Sequence, residues 1–501
     1  MTGLDAHLPA LQVVVPLLIA PLVILLRPRG LAWAAATAAS AAAFAIAIQL
    51  TAGVLGGQEY RYALGGWSAP YGIELLVDSF SALLLLIVTG ASTMALLAGK
   101  ASLEREIELR RQPLFYSAWL LALAGLAGIL VAADAFNIFV FMEISSLASY
   151  VLVAGGPDRR ALPAVFKYLL MGTIGATFYL IGVGLVYMMT GTLNLADMEL
   201  RIHEVADQKP ILVAAGFITV GLALKAALFP LHVWLPNAYT YAPHAVSAFF
   251  AACATKVALY VLLRFDFVVF QQNLLEHETQ FAAFLMPLAV LAILVGSAVA
   301  LFESNINRLL AYSSVAQIGY ILLGASLVSI AGLSASLLHI FNHALAKGAL
   351  FLAVMAIAMR FSQLDLQHLA GAARRMPWTL SALVIAGLSL IGVPGTAGFI
   401  SKWYLVTAAL DEGALGIALV AVIVVGSLMA VVYIWRIVEA AWFEPIDESA
   451  DGPAETIREA PAPMLAVVWL AVLANVYFGF TTGPQRELAT RAAVSLLGHV
   501  P

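Results

Sequence analysis

Residues 329–358 read SIAGLSASLLHIFNHALAKGALFLAVMAIA, and the only ionisable side chains in this stretch are His339, His343 and Lys347. About 20 apolar residues suffice for a helix to cross the bilayer. A lysine near the bilayer centre costs on the order of 2.5–3.5 kcal/mol on insertion scales, so such residues are functional by default. Snorkelling suits lysines near helix ends, and it fits Lys347 badly because residues 348–359 carry no charge.

The composition of the whole chain also indicates a membrane protein. Of 501 residues, 62% are hydrophobic and 11% are charged, whereas soluble domains carry roughly 25% charged residues. We therefore predict one membrane domain, residues 1–501. The single cysteine, Cys253, excludes a disulfide framework and an iron–sulfur ligand set. Glycine-rich nucleotide-binding motifs are missing as well, so we expect no cofactor and no nucleic-acid partner.

Apolar runs of about 20 residues predict an all-α, polytopic membrane bundle of about 14 transmembrane helices. A short surface helix is expected within residues 193–209. The predicted spans are 8–26, 31–54, 76–99, 114–133, 135–154, 163–189, 210–229, 242–263, 279–302, 309–327, 329–358, 377–410, 415–438 and 461–480.

Two of these spans are expected to be broken helices. The span 377–410 is too long for one straight crossing, and its glycines and proline predict a break near 392–398. A second break is predicted near 229–236, which begins with Phe-Pro and ends with Leu-Pro. The breaks fall in the fourth helix of 114–263 and the fourth helix of 279–438. Paired interruptions of this kind indicate two inverted five-helix repeats, with ion sites at the breaks.

The distribution of lysine and arginine between loops predicts the orientation. With both termini outside, the cytoplasmic loops contain most of the basic residues, and the acidic stretch 439–460 contributes little to orientation. The opposite loops contain Arg61, Arg201, Lys209 and Arg264. The cytoplasmic basic residues are Arg27, Arg29, Lys100, Arg105, Arg110, Arg111, Arg159, Arg160, Arg308, Arg360, Arg374, Arg375 and Arg458.

Charged and titratable residues within apolar runs are the candidates for ion movement. An isolated Glu143 in apolar surroundings needs a cationic partner to stay ionised, and Lys225 is the natural candidate. A static pair that only fixes helix packing is the alternative. The full candidate set is Glu143, Lys225, Lys256, His339, His343, Lys347 and Lys402.

His339, His343 and Lys347 follow one another at positions i, i+4 and i+8. On a helix this spacing puts them on one face over about 12 Å. Histidine both accepts and donates protons near neutral pH, so the row is typical of a proton relay bridged by waters. Core histidines that are merely hydrogen-bonded remain an alternative. The two histidines also have metal-ligand spacing, but no third ligand accompanies them, and we expect no zinc site.

Six segments, in chain order, resemble one family. That family is the antiporter-like membrane subunits shared by Mrp-type cation/proton antiporters, respiratory complex I and membrane-bound hydrogenases. The resemblance covers roughly residues 70–440. The segments are 134–143 (DAFNIFVFME), 224–236 (LKAALFPLHVWLP), 255–260 (TKVALY), 308–320 (RLLAYSSVAQIGY), 343–351 (HALAKGALF) and 392–402 (GVPGTAGFISK).

The resemblance implies a proton path made of two half-channels. Glu143 would pair with Lys225, and Lys402 would be the terminal charged residue. The central relay would comprise Lys256, His339, His343 and Lys347. The chain would then be a transporter subunit and not an enzyme in its own right, embedded in the cell inner (plasma) membrane with other membrane subunits as partners.

Details of the motifs favour one branch of the family. The segment 191–197 (GTLNLAD) and the Thr-Lys-Val at 255–257 are similar to the D subunit of Mrp antiporters. On this interpretation the chain carries protons, and possibly Na⁺ or K⁺, in a multisubunit Na⁺/H⁺ antiporter. The segment 232–234 (HVW) and His339 are more similar to complex I and hydrogenase members. A proton-pumping subunit of such a complex is the alternative.

Two further classes of protein fit the sequence less well. A scaffold subunit that has lost transport would lack one or more path charges, and all are present here. A stand-alone transporter would need a substrate pocket that the sequence does not indicate.

Overall fold

The computed structural model describes residues 3, 5–26, 30–206, 208–270, 278–445 and 458–497, with side chains described from residue 283 in the helix that begins at 278. The α-helices of these residues are α1 (Leu8–Ile24), α2 (Leu31–Leu55), α3 (Ser79–Glu106), α4 (Gln112–Val131), α5 (Ala135–Ala154), α6 (Ala161–Thr190), α7 (Leu195–Ile202), α8 (Lys209–Ala226), α9 (Leu235–Tyr241), α10 (His244–Arg264), α11 (Glu278–Phe302), α12 (Ile306–Ser326), α13 (Ile330–Ala358), α14 (Pro377–Ile391), α15 (Ala397–Leu410), α16 (Ala414–Val438), α17 (Ala462–Phe480) and α18 (Gly483–Leu497).

The chain is a multi-pass membrane protein. Within the described residues, 13 helices are long and apolar enough to cross a bilayer. Helices α14 and α15 have 15 and 14 residues, so each is too short to cross alone. Together they occupy the predicted broken span 377–410, and counting them as one crossing gives the predicted total of about 14.

A two-stranded hairpin interrupts the helical pattern, so the all-α prediction was incomplete. Strand β1 (Tyr60–Ala63) pairs antiparallel with β2 (Glu74–Val77). Four-residue strands beside long apolar runs give a weak sequence signal, and the predicted span at 76–99 included the end of β2. The amide of Ala133 donates to the Glu74 carbonyl at 3.1 Å. This hydrogen bond joins the hairpin to the connection between α4 and α5.

Helices α10, α12 and α13 form the centre of the bundle and are almost wholly buried. Helices α1, α2, α11, α16 and α17 expose much of their apolar surface and form the periphery. A helix that is apolar all round and enclosed by others has no lipid-facing side on which a charged residue could snorkel. Ionisable residues on α10 and α13 therefore lie inside the protein.

Both predicted helix breaks are present. Helix α8 ends at Ala226, and the chain is not helical again until α9 begins at Leu235. The carbonyl of Leu224, freed by this break, accepts a hydrogen bond from the Trp234 indole at 2.9 Å. Helix α14 ends at Ile391, and the following Gly392 has a φ of 91°, a conformation that favours glycine. The inverted relation between the two repeats stays a prediction.

Two short helices lie outside the long crossings. Helix α7 falls within the predicted surface helix at 193–209. Helix α18 was not predicted, because no element was expected after residue 480. Arg491 in α18 donates to the carbonyls of Val54 and Leu55 at 3.1 and 3.0 Å, so α18 caps the end of α2.

Close packing across the second break generates a first test. A β-carbon at Gly398 would lie 1.8 Å from the Ser389 carbonyl oxygen, so α14 and α15 could not approach as they do. Gly398→Ala should lower the free energy of unfolding by about 1–3 kcal/mol, the usual cost of overpacking. Thermal unfolding in detergent micelles measures the loss.

Gly184→Ala is the matched control, since nothing lies within 4 Å of its added β-carbon. That variant should be neutral or slightly stabilised, because alanine favours helix over glycine. Equal stability of the two variants would contradict the packing of this break.

Candidate functional site

An ion pair joins α5 and α8 at one end of the candidate site. The Lys225 Nζ lies 3.7 Å from the Glu143 Oε1, and the side chains are 9% and 30% exposed, respectively. The same ammonium donates to the Ser146 hydroxyl, one turn along α5, at 2.6 Å. The pair was predicted from the sequence, whereas Ser146 was not.

The position of Lys225 follows from the break in α8. Lys225 is the second-last residue of the helix, where the carbonyl ends of the helix carry partial negative charge. A cavity of about 40 Å³ lies beside it, and three serine hydroxyls line this cavity together with residues of α10 that flank Lys256. A water needs roughly 10–15 Å³ and polar partners. The cavity therefore has room for water between Lys225 and the helix of Lys256.

Lys256 lies at the centre of the bundle with no exposed surface. Its ammonium donates to the Ala251 carbonyl at 2.5 Å, and no carboxylate pairs with it in the described ranges. An ammonium has three donors, so one protein acceptor leaves it in need of water.

The two histidines of α13 are bonded in different ways. The Nε2 of His339 lies 2.8 Å from the Gln317 Oε1, and it donates because an amide oxygen only accepts. The Nδ1 of His339 lies within hydrogen-bond distance of the Ser401 hydroxyl, at 2.8 Å. The His343 ring lies parallel to the His339 ring, with 6.2 Å between centroids. His343 is 2% exposed, yet neither ring nitrogen has a hydrogen-bond partner among the described residues. Buried polar groups almost always have partners, so His343 requires water.

Lys347 completes the α13 row and reaches α12. Its ammonium donates to the Leu310 carbonyl at 2.6 Å and to the Ser313 hydroxyl at 2.5 Å. Like Lys256, it has no exposed surface. The row of His339, His343 and Lys347 thus faces the protein interior over its whole length, as the relay hypothesis requires.

Lys402 occupies the second helix break. Its ammonium donates to the carbonyls of Leu390 and Ile391 at 3.1 and 2.9 Å and to the Ser427 hydroxyl at 3.0 Å. These carbonyls are the last of α14, which have no partner within the helix. A cation there also complements the negative end of the helix dipole. Ser401, the residue before Lys402 in the chain, bonds His339.

All seven predicted residues therefore lie on five helices that pack in succession: α5 is joined to α8 by the ion pair, α8 packs on α10, α10 on α13, and α13 on α15. The neutral groups that hold them were not predicted, chiefly Ser146, Gln317, Ser313 and Ser401. Gln317, Ser313 and Ser401 belong to quoted segments, but hydroxyl and amide side chains are common in buried helices and give little signal alone. In the part of the chain that the structure describes, no three histidine, cysteine or acidic residues cluster as metal ligands.

Comparison with known proteins defines the class. The model of the NADH:quinone oxidoreductase/Mrp antiporter transmembrane family matches residues 132–430, more than half of the chain. The chain belongs to this family. The NADH-quinone oxidoreductase N subunit of Desulforudis audaxviator is 40% identical over 497 residues, which are 95% of this chain and 96% of that protein. The Na⁺/H⁺ antiporter D subunit of Bacillus subtilis is 31% identical over 463 residues, 92% and 91% of the two chains.

Solved structures share the whole fold. A chain of the Mrp complex from Dietzia sp. DQ12-45-1b superposes with a TM-score of 0.89 at 28% identity, covering 100% of this chain and 98% of that chain. A chain of an archaeal membrane-bound sulfane sulfur reductase gives 0.88 at 30% identity and 98% coverage of both. A chain of Thermus thermophilus complex I gives 0.74 at 26% identity, with 95% and 97% coverage.

This protein is therefore an antiporter-like membrane subunit of the Mrp and complex I family. The sequence motifs favoured the D subunit of an Mrp antiporter. The identities of 40% to an N subunit and 31% to a D subunit support the alternative, a complex I type of subunit, more strongly.

Proposed function

We propose that this chain translocates protons as the antiporter-like subunit of a multisubunit complex of the NADH-quinone oxidoreductase type. The observation that carries this proposal is a set of four lysines inside the bundle: Lys256, Lys347 and Lys402 are buried, and the Lys225 side chain is only 9% exposed. Of these, only Lys225 has a carboxylate partner among the described residues. So many buried ammonium groups would be disfavoured in a merely structural bundle. On this proposal the energy for transport comes from partner subunits, since the sequence of this chain carries no motif for a redox cofactor.

The proposed path runs from Lys225 through Lys256 and the α13 row to Lys402. At 3.7 Å, the attraction within the Glu143–Lys225 pair is about 4 kcal/mol at an effective dielectric constant of 20, and it falls below about 2 kcal/mol at 10 Å. While the pair is closed, Glu143 offsets the charge of Lys225. When the pair opens, Lys225 repels positive charge at Lys256, and the proton there moves along the row through bridging waters.

A second candidate function is that of the D subunit in an Mrp-type Na⁺/H⁺ antiporter. The 31% identity to an antiporter D subunit and the 0.89 TM-score with an Mrp complex chain support it. The same residues would carry the proton in either assembly. We further propose that both termini lie outside and that 114–263 and 279–438 are inverted repeats, which would place Lys225 and Lys402 at corresponding breaks.

Lys225→Ala should abolish coupled proton transport while the protein still inserts and assembles. The reason is that, within the described residues, Lys225 is the basic group paired with Glu143, at the start of the proposed relay. Proton uptake into inverted membrane vesicles, measured with a pH-sensitive dye, gives the result. Lys167→Ala is the matched control, because Lys167 is exposed on α6 and outside the path, and it should transport normally. Near-normal transport by Lys225→Ala at normal expression would refute the proposal.

Glu143→Gln should abolish transport as well, because an amide cannot form the ion pair, and Glu143→Asp should retain part of it. Transport by both variants is measured in the same vesicles. Full transport with glutamine at this position would mean that the pair only holds α5 to α8.

The α13 row provides a graded test. Lys347→Ala should stop transport, whereas His339→Ala and His343→Ala should slow it by a smaller factor. A water can substitute for a neutral relay group, but not for a charge that acts on its neighbours. Initial rates of proton uptake, measured in the same vesicles at matched expression, rank the three variants. Histidine variants as inactive as Lys347→Ala would contradict the water-bridged relay.

The parent complex can be identified by purification. An affinity tag on this chain should recover subunits with iron–sulfur clusters, visible by electron paramagnetic resonance, if the complex is of the quinone oxidoreductase type. Recovery of small membrane subunits only, without redox centres, would establish the Mrp-type candidate instead.

A further inference from the structure

Helix α10 carries a second row of polar residues, and the proposed path uses only its first member. Lys256, Tyr260 and Arg264 stand at positions i, i+4 and i+8, so they share one face of the helix over about 12 Å. All three are buried. From the sequence, Arg264 was expected in a loop, because the apolar run ends at residue 263. In the structure a π-helical turn, Phe265–Val269, continues the helix beyond it.

The row ends beneath a polar cavity on the hairpin side of the bundle. This cavity has a volume of about 260 Å³. Its lining includes Glu59, Arg61, Glu74, Asp78, Tyr260 and Arg264. Under the proposed orientation this cavity faces the outside. Only one turn of α10, about 6 Å of rise, separates Tyr260 at its floor from the central lysine.

A closed network of bonds fills this floor, and we call Asp78, Ser81, Tyr260 and Arg264 the outer plug. The Arg264 Nη2 donates to the Asp78 Oδ2 at 2.6 Å and to the Ser81 hydroxyl at 3.2 Å. The Arg264 Nε donates to the Tyr260 hydroxyl at 2.8 Å. Tyr260 in turn donates to the Leu130 carbonyl, at the end of α4, at 2.9 Å. The plug therefore joins α3, α4 and α10.

The chemistry of the outer plug opposes proton passage. The Tyr260 hydroxyl already accepts from Arg264 and donates to a carbonyl, so it offers its proton to no water chain. The guanidinium cannot give up its proton in a protein, and a fixed arginine charge in a pore is a barrier to protons. Asp78 balances that charge, and it also caps the start of α3 through the Ser81 amide at 2.9 Å.

We propose that the outer plug blocks proton exchange between Lys256 and the outer cavity, so that protons cannot bypass the path that ends at Lys402. This inference rests on the proposed function, because a leak matters only where Lys256 holds a transported proton. A proton-pumping complex that left this short route open would dissipate the gradient it builds. Arg264 acts here as a positioning and insulating residue and does not carry the proton.

The test compares two variants that break the same ion pair with opposite charge. Arg264→Gln leaves the Asp78 carboxylate unbalanced above Lys256, and Asp78→Asn leaves the guanidinium unbalanced. The purified complex is placed in liposomes that contain a trapped pH-sensitive dye, and passive proton influx is driven by a potassium diffusion potential. Arg264→Gln should raise influx roughly tenfold, the factor that one unit charge about 12 Å away imposes at an effective dielectric constant of about 20. Asp78→Asn should leak no more than the unaltered complex.

Two further variants distinguish a proton barrier that depends on the Arg264 charge from a general loosening of the helix packing. Arg264→Lys keeps the charge and should stay tight, and Lys256→Ala combined with Arg264→Gln should return influx to the baseline, because the leak passes through Lys256. Equal leaks in Arg264→Gln and Asp78→Asn would overturn the proposal, since a purely structural role predicts that result. If Arg264→Gln does not assemble, a leak in Asp78→Asn alone still contradicts it. Loss of driven transport in Lys225→Ala is independent of all these outcomes. A result that contradicts the role of the outer plug would therefore not contradict the proposed function.

Discussion

The constraint on which the site depends is the need of a buried ammonium group for oxygen acceptors. In the interior of a membrane protein an unpaired charge is strongly disfavoured, and the carbonyls of intact helices already accept a hydrogen bond within the helix. Lys402 meets the requirement with the last carbonyls of α14 and a hydroxyl, and Lys347 with a carbonyl and a hydroxyl of α12. Lys225 uses Ser146 and a carboxylate. The second helix break thus supplies the backbone carbonyls that hold Lys402. Lys347 instead shares the Leu310 carbonyl of the intact α12, and Lys225 relies on side chains.

The number of acceptors differs along the path, and that difference suggests where the charge moves. Lys402 has three acceptors at hydrogen-bond distance, whereas Lys256 has one and His343 has none among the described residues. The ends are held by protein atoms, and the middle depends on water. A group that exchanges partners easily is better suited to pass a proton than one held by a full set of bonds. Ends held by protein atoms and central groups with few protein partners agree with the proposed water-bridged relay.

Much of this arrangement could be predicted from the sequence, and the remainder could not for identifiable reasons. Glycine and proline at 392–398 and proline at 229–236 predict the breaks, because neither residue continues a helix well. The i, i+4 and i+8 spacing on α13 predicted its common face. The hairpin at 60–77 was not predicted, because strands of four residues are too short to show a clear hydrophobic period. The outer plug could not be predicted because Asp78 and Arg264 lie 186 positions apart in the chain. Both also lie at the ends of apolar runs, where charged residues usually anchor a helix at the interface. Only the folded chain brings them together.

The central claim is that buried, titratable groups are joined by water inside the protein, and ordered water around His343 tests it most directly. A high-resolution cryo-EM map of the purified complex in lipid nanodiscs would reveal such water. The water-bridged relay predicts ordered density within hydrogen-bond distance of both ring nitrogens of His343, continuing towards the ammonium of Lys256. A dry His343, with apolar side chains packed against both nitrogens and no water between α10 and α13, would contradict the relay.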